Sequence, residues 1–302
     1  GVWMVRMLKW LRPSEDSSDS SEDDAPFLWR ELGYLHSAAA AIAIRARVES
    51  VIDLPVNNST VVFPTLGSVS IPSDLDNVSL EESDVAVVSV SSEVTDSVLL
   101  TVDEYQLRLP IDLSQAYGSW SPVRQIDGAL LRFRDRALLL DESDPYRDFR
   151  FPMAPTFPLD HVDVDRWNLM LREAEAGLVS RHHHAAELTA TGLRVLVPLP
   201  RAPRYRTTSA SYNEAFGSAL ISFPHDVPDL AVTMVHEARH SILNALLHQV
   251  LLYEEPVPSQ DASLFYAPWR GDPRPVSGLL HGAYSFAGVA EFWRVERHAL
   301  SG

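Results

Sequence analysis

Short runs of β-branched and apolar residues, broken by Pro, Gly, Asp and Ser, dominate the chain between residues 59 and 140. Apolar runs that end at such turn-forming residues are typical of antiparallel strands. No GxGxxG or P-loop motif follows any of them, so nucleotide binding has no support. We therefore expect an antiparallel, β-rich N-terminal half. The runs are STVVFPTLGSVSIP, DVAVVSVSSEV, DSVLLTVDEYQLRLPI and GALLRFRDRALLL.

Helical periodicity follows the β-rich region. Residues 166–188 place their apolar side chains on one stripe, with Asp163 or Asp165 as the candidate N-cap. Residues 228–255 begin with Pro at a first-turn position and keep an unbroken apolar stripe, so we expect a long, largely buried helix. The other predicted elements are a helix over residues 27–50, strands at 194–200 and 219–224, and a final helix over 276–300.

These patterns predict an α+β chain with an antiparallel β-rich N-terminal half and a mainly helical C-terminal half. We expect an acidic, Ser-rich tail over residues 1–26, and then a helix and β-rich region over 27–150, a candidate for peptide recognition. The helical region over residues 151–302 contains ten of the eleven histidines. Residues 1–12 are apolar and basic, but the residues that follow form an acidic run at 14–24 and contain no small-residue cleavage site. We therefore expect no signal peptide.

Composition excludes several classes of function. The 302 residues carry a net charge of −16, which lacks the basic footprint of a nucleic-acid-binding protein. No apolar run reaches the roughly 18 residues that a membrane-spanning helix needs, so we expect no membrane insertion. The chain has no cysteine, so disulfides, thiolate metal sites and a Cys nucleophile are excluded. Any metal ion must be held by His and carboxylate side chains.

An HExxH motif occupies residues 236–240, inside the predicted helix over 228–255. Positions i and i+4 face the same way on a helix, so the imidazoles of His236 and His240 can reach one metal ion. Glu237 is the candidate catalytic residue, because its carboxylate can approach a metal-bound water or accept a hydrogen bond beside the metal. Three ionisable groups on an otherwise apolar helix would be costly without a ligand, which favours a metal site.

The residues leave two candidates for a third ligand, both in the final predicted helix. One is Glu291, and the rival is His281; their ten-residue separation puts them about 80° apart around the helix, so they are not expected to share one ion. Leu243 and Leu246 stand where the metzincin pattern needs Gly and His, which excludes that class. His248 is on the same face as the motif but too far along the helix axis.

Arg270 and Arg274 lie in a Pro- and aromatic-rich loop between the two helices. They are either surface arginines or a site for a small dicarboxylate beside the metal, since a rigidly held guanidinium binds a carboxylate through two hydrogen bonds. Residues 182–184 are three consecutive histidines, and side chains of consecutive helical residues diverge, so we expect a solvated face there rather than a metal site.

Three distinctive stretches lie near the C terminus: MVHE at residues 234–237, YAPWRGDPRP at 266–275 and GLLHGAYSFAGVAEFW at 278–293. Together they resemble the C-terminal domain of the HExxH-motif peptide-modification proteins of bacterial peptide natural-product clusters. The resemblance covers the last quarter of the chain well, residues 150–228 loosely and the first 150 residues barely. Members usually have an aromatic residue and Gln inside the motif, where this chain has Ala238 and Arg239.

The resemblance implies a cytoplasmic bacterial oxidoreductase, a non-haem iron dioxygenase that takes part in natural product biosynthesis. It would use Fe(II), dioxygen and the co-substrate 2-oxoglutarate to hydroxylate the β-carbon of a side chain in a ribosomally made peptide. Oxidative decarboxylation of 2-oxoglutarate to succinate would drive the hydroxylation. Carried over residue by residue, His236, His240 and His281 would hold Fe(II), Arg270 or Arg274 would bind the distal carboxylate of 2-oxoglutarate, and Glu237 would support the ligands.

Two other functions stay open. A zinc metallopeptidase would hold Zn(II) with the HExxH helix, use Glu237 as general base, and take Glu291 or His281 as third ligand. A non-enzymatic peptide-binding module would retain the helix without a working metal site.

Overall fold

The computed structural model describes residues 25–57, 59–72, 85–92, 98–102, 105–144, 159–201, 207–213, 215–253 and 263–299. The chain divides into two compact units, residues 1–125 with 141–154 and residues 126–140 with 155–302. The expected α+β class is confirmed, with an antiparallel sheet in the N-terminal half and mainly helices in the C-terminal half. The acidic tail expected over residues 1–26 lies, as far as residue 24, outside the described residues.

The first unit contains helix α1, Ala25–Ala46, and a seven-stranded antiparallel sheet. Alternate residues of β5 and of the second half of β1 are buried, whereas β2 and β3 are buried at successive positions. The buried residues form one core with the buried face of α1. Trp120 is at the centre of this core and its indole N–H donates to the carbonyl oxygen of Leu113 at 3.1 Å. The strands are β1 Ser50–Asn57, β2 Thr60–Phe63, β3 Gly67–Ser70, β4 Val85–Ser92, β5 Val98–Val102, β6 Tyr105–Arg108 and β7 Trp120–Pro122, in the order β6-β5-β4-β1-β2-β3-β7.

The second unit contains a five-stranded mixed sheet. Strand β8, Arg124–Ile126, spans the boundary between the two units. The other strands of this sheet are β9 Leu138–Leu140, β10 Val195–Leu199, β11 Ser209–Ala210 and β12 Ser218–Ser222, in the order β11-β12-β10-β9. The prediction of antiparallel strands throughout 59–140 is wrong at its end, because β9 pairs with β10 in parallel and residues Ala129–Phe133 form a 3₁₀ helix. Two helices lie between β9 and β10 in the chain, and such a crossover returns the second strand parallel to the first.

Two helices replace the single one expected over residues 166–188. Helix α2 is His161–Arg181 and helix α3 is His183–Gly192, with a break at His182. The N-cap is Asp160, not Asp163 or Asp165, and its carboxylate accepts from the backbone N–H of Asp163 at 2.7 Å. The break has a tertiary cause, because His182 is buried, stacks on the Phe292 ring at 4.3 Å and contacts the Glu296 carboxylate at 2.7 Å.

Helices α4, Val227–Leu247, and α5, Val276–Ala299, correspond to the two C-terminal predictions. Helix α4 packs against α2, α3 and α5 and contributes to the core of the second unit. The prediction that it continues to residue 255 is wrong. Val250, Leu251 and Leu252 are exposed, so further helical turns would gain no packing. Residues 254–262 lie outside the described residues.

A buried ion pair joins the 3₁₀ helix to α2. The Glu175 carboxylate accepts hydrogen bonds from the Arg134 guanidinium and, at 3.0 Å, from the backbone N–H of Leu130. Neither charged side chain is more than 1% exposed. The buried guanidinium and carboxylate are tolerated because each charge neutralises the other. Removing one of the two side chains would leave the other charge buried without a partner.

We expect Glu175→Ala to lower the free energy of unfolding by about 3–5 kcal/mol, because it leaves the Arg134 guanidinium buried without its carboxylate. The matched control is Arg166→Ala, which removes a largely exposed ion pair with Asp163 and should cost less than about 1 kcal/mol. Urea unfolding followed by circular dichroism measures both variants. Equal losses for the two variants would contradict the prediction.

Candidate metal centre

The two histidines of the HExxH motif lie one turn apart on α4. Their Nε2 atoms are 3.0 Å apart, and the rings meet edge to face with centroids 4.6 Å apart. Met234, Val235 and Ala238 of the same helix are fully buried in the core. Core packing therefore fixes the rotation of α4 and directs His236 and His240 to its other side.

Helix α5 supplies the third histidine. His281 Nδ1 lies 3.3 Å from His240 Nδ1, and the two ring centroids are 5.5 Å apart. The hydroxyl of Ser285 donates to the backbone carbonyl of His281 at 2.8 Å, within the same helix. The structure thus brings together all three histidines that the resemblance implied as ligands.

All three imidazoles are in a partly dry environment. Burial lowers the pKa of His236 to about 4. Burial also lowers the pKa of His240, to about 3, and charges on His236 and His281 add to this effect. Burial lowers the pKa of His281 as well. The rings are therefore neutral near pH 7, which is the form that can donate a lone pair to a metal ion.

The donor set fits a metal ion in chemistry and proximity. A nitrogen separation of 3.0 Å, as between His236 and His240, is that of two ligands at right angles, each about 2.1 Å from one ion. His240 faces His236 with Nε2 and His281 with Nδ1, so sharing one ion requires the ring of His240 or His281 to turn. Accordingly, no three His, Cys, Asp or Glu side chains of the described ranges already have the arrangement of a metal site.

Glu237 is buried beside the histidines and is held by two serines. Its Oε1 accepts from the Ser209 hydroxyl at 2.6 Å, and its Oε2 accepts from the Ser211 hydroxyl at 2.5 Å. Burial raises the pKa of the Glu237 carboxyl, and the two hydroxyl hydrogen bonds oppose that rise. Oε1 also lies 4.0 Å from His236 Nε2. Glu237 therefore joins α4 to β11 and to Ser211, which follows that strand.

Arg270 and Arg274 are both close to one carboxylate of their own loop. Arg270 Nε donates to Asp272 Oδ1 at 2.9 Å, and Arg274 Nη1 lies 3.5 Å from Asp272 Oδ2. The hydrogen bond from Arg270 lowers the pKa of Asp272, and the charges of both arginines add to it. The backbone of Arg274 is fixed by two hydrogen bonds with Phe265, each 2.8 Å long. Asp272 thus holds two guanidinium groups together in an anchored loop.

An aromatic wall borders His236. The Phe286 ring lies 4.9 Å from the imidazole of His236, and the Trp269 ring lies 5.7 Å from Phe286. A Cβ at residue 282 would overlap the Trp269 indole, so Gly282 lets this ring lie directly against α5. The wall covers one side of the His236 imidazole.

These side chains line one cavity of about 940 Å³ in the second unit. The cavity has one buried polar atom without a partner in the described ranges, Oδ1 of Asn244, which lies one turn beyond His240 on α4. An unpaired buried carbonyl oxygen is costly unless a ligand or water reaches it. The lining includes the three histidines, Glu237, Arg270, Arg274, Thr207, Thr208, Ser209, Ser211, Trp269 and Phe286.

The other candidate residues from the sequence have different environments. Glu291, the alternative third ligand, lies 3.4 Å from the Arg239 guanidinium. His248 lines the cavity but is the C-cap of α4, with Nε2 3.5 Å from the carbonyl oxygen of Asn213. Of the three consecutive histidines, His183 and His184 are exposed as expected, whereas His182 is buried.

Sequence reasoning missed Ser209, Ser211 and Asn244. The two serines are separated by one residue, and a strand would place both hydroxyls on one face, so the period-two pattern was an available signal. Asn244 follows His240 by four residues, which puts it on the face of the motif. Neither signal is specific without the neighbouring elements, because serine and asparagine are common in loops and at helix ends.

Comparison with known proteins adds no assignment. No family model matches the chain, and a search of curated proteins finds no significant match. None of the helices in the described ranges has the length and apolar character to cross a membrane. Arguments about function therefore depend on the residues of the cavity.

We expect the protein to bind one Zn(II) per chain and His240→Ala to abolish stoichiometric binding, because His240 contacts both other histidines. His248→Ala is the matched control, because it removes another histidine of α4 that lines the same cavity. Equilibrium dialysis with metal analysis measures the stoichiometry. Retained binding in His240→Ala, or lost binding in His248→Ala, would contradict the prediction.

Proposed function

We propose that the second unit is the catalytic part of an Fe(II)- and 2-oxoglutarate-dependent dioxygenase that hydroxylates the β-carbon of a side chain in a ribosomally made peptide. The main support is that three neutral histidines and two arginines line one cavity. The resemblance of residues 229–294 supplies the reaction and the bacterial, cytoplasmic setting. The motif alone does not distinguish this enzyme from a peptidase.

The histidines would hold the metal. Imidazole suits Fe(II), and three protein ligands leave open positions for a bidentate oxo acid and dioxygen. When bound, Fe(II) would couple the oxidative decarboxylation of 2-oxoglutarate by dioxygen to hydroxylation of the peptide. The chain's own part is to hold the ligands neutral, to orient the substrates and to exclude water. The aromatic wall of Trp269 and Phe286 serves the last of these tasks beside His236.

The two arginines favour a dianionic co-substrate. Among the described residues that line the cavity, the positive groups are Arg270 and Arg274, and the one acidic side chain is Glu237. Glu237 is buried and already accepts two serine hydroxyls. A small dicarboxylate could therefore bind one guanidinium through paired hydrogen bonds in exchange for Asp272, with its other end at the metal.

The part of the cavity lined by β11 suits an extended peptide. Strand β11 has β12 as its one neighbour among the described strands, and the backbone N–H of Ser222 donates to the carbonyl of Thr208 at 2.8 Å. Ser209 is opposite Ile221, the next position along, so its backbone N–H and C=O point away from β12. Ser209 lines the cavity, so we propose that its backbone groups pair with the main chain of a peptide.

One observation favours the alternative zinc metallopeptidase: Glu237 Oε1 is 4.0 Å from His236 Nε2, near where a metal-bound water would lie. One other weighs against it. Both oxygens of Glu237 accept serine hydroxyls, and these hydrogen bonds oppose the rise in the pKa of Glu237 that burial causes. Because Glu291 contacts Arg239, a peptidase at this site would take His281, which lies beside His240, as its third ligand.

We expect the protein, loaded anaerobically with Fe(II) and given 2-oxoglutarate, to develop a visible metal-to-ligand charge-transfer band. His281→Ala should lose the band, because it removes one of the three imidazoles. Absorption spectroscopy in an anaerobic cuvette makes the measurement, with succinate in place of 2-oxoglutarate as the control. Tight Zn(II) binding without a band, and peptide cleavage that Glu237→Gln abolishes, would identify a peptidase. Absence of any stoichiometric metal would identify a binding module.

We expect Arg274→Met to weaken 2-oxoglutarate binding by roughly ten- to a hundredfold, since a hydrogen bond to a charged group contributes about 1.5–3 kcal/mol. Zn(II) affinity should stay unchanged, because the proposed metal ligands are the three histidines and Arg274 is not one of them. Arg294→Met, an exposed arginine of α5, is the matched control, and Arg270→Met separates the two cavity arginines. Unchanged titrations in both Arg270→Met and Arg274→Met would remove the arginines from the proposal.

A further inference from the structure

Arg239 is a charged residue inside the HExxH motif, yet it does not line the cavity with its neighbours His236 and His240. Its side chain is 9% exposed and reaches across to α5. Successive residues of a helix project about 100° apart, so Arg239 points to one side of the two histidines, toward α5, and Glu237 points to the other side, toward β11. A methionine of similar length could pack there without bringing a charge out of water. The guanidinium therefore calls for an explanation.

The guanidinium contacts α5 at three points. Nη1 lies 3.4 Å from the backbone carbonyl of Tyr284, and Cζ lies 5.2 Å from the centroid of the Tyr284 ring. Nη2 lies 3.4 Å from Glu291 Oε2. At Gly288, between them, a Cβ would overlap the Arg239 side chain, so the glycine forms a notch that the arginine fills. Nε of Arg239 is buried without a partner in the described ranges.

These contacts fix how far α5 is displaced along α4. They span residues 284–291, about two turns of α5, and a shift by one residue would remove the notch and both polar contacts. His281 precedes Tyr284 by three residues, and Ser285 is hydrogen-bonded to the His281 carbonyl. The position of α5 against α4 therefore determines whether His281 reaches His240.

We propose that Arg239 is a positioning residue for the metal site: by locking α5 against α4 it places His281 beside His236 and His240. The inference rests on the metal site of the proposed function and is independent of which reaction that site performs. It also explains why this chain has a long cation at that position of the motif, where it contacts no other residue of the histidine cluster.

A double-mutant cycle on the full chain tests the lock. Arg239→Met should lower the affinity for Co(II) or Zn(II) by about ten- to a hundredfold, as outer supports of metal ligands do. In a His281→Ala background the same substitution should have no further effect, because the ligand that Arg239 positions is already gone. The visible spectrum of bound Co(II) should change in Arg239→Met to that of His281→Ala.

Companion variants separate positioning from general damage. Gly288→Ala keeps Arg239 but fills its notch, and should reproduce the loss of affinity and the altered Co(II) spectrum. Arg239→Lys should restore part of the affinity through Glu291. Arg294→Met, an exposed arginine of α5, should leave metal binding unchanged. Glu291→Gln keeps the size of the side chain and removes its charge, so it should lower the metal affinity less than Arg239→Met does. This variant provides the test if Arg239→Met does not fold.

The outcomes are distinct. Equal losses of affinity from Arg239→Met in the wild-type and His281→Ala backgrounds would overturn the inference, since the arginine would then act independently of His281. Unchanged affinity in Arg239→Met and Gly288→Ala would also overturn it, while a wild-type protein that binds the metal would leave the proposed metal site standing. A wild-type chain that binds neither Co(II) nor Zn(II) would overturn both.

Discussion

Helix α4 packs against three other helices and nonetheless contains four ionisable side chains within the five residues 236–240. The neighbouring elements of the second unit provide hydrogen-bond or charge partners for these side chains. Each group that leaves water needs a hydrogen bond or a charge partner, or folding loses more than the burial of the apolar stripe gains. The partners come from different elements. Glu237 is paired by the serines at β11, Arg239 is paired by α5, and the histidines face one another and His281.

The helical angle of about 100° per residue assigns the directions. His236 and His240 share the cavity face, Glu237 is turned toward β11, and Arg239 is turned toward α5. The motif therefore does more than present two histidines. Glu237 connects α4 to β11, and Arg239 connects α4 to α5. Displacing β11 or α5 would therefore alter the surroundings of the histidines without touching an imidazole.

Sequence periodicity predicted the helices and strands whose own apolar pattern matches their buried face. It failed where contacts with residues far away in the sequence determine the local structure. It predicted α4, α5, β10 and β12 because their apolar patterns match the buried faces that the structure has. It could not find the break at His182, which depends on Phe292 and Glu296 more than a hundred residues later. The parallel pairing of β9 could not be predicted for the same reason, because its partner β10 comes more than fifty residues later, after two helices. At the site, the motif predicted the two histidines of α4, whereas the serine pair required knowledge of the strand beside them.

The choice between an oxygenase and a peptidase comes down to where lone pairs and charges are directed. The two serine hydroxyls hold the Glu237 carboxylate toward β11 and oppose the rise in its pKa that burial causes, while each oxygen keeps a second lone pair. A co-substrate with two carboxylates needs fixed positive charge near the metal, and Arg270 and Arg274 are held in the cavity wall by Asp272. An enzyme that binds an oxo diacid beside the metal needs at least one of these cations, as would a peptidase that binds the C-terminal carboxylate of its substrate. The same HExxH spacing thus serves either chemistry, and the proposal of an oxygenase depends on which carboxylate the two arginines bind.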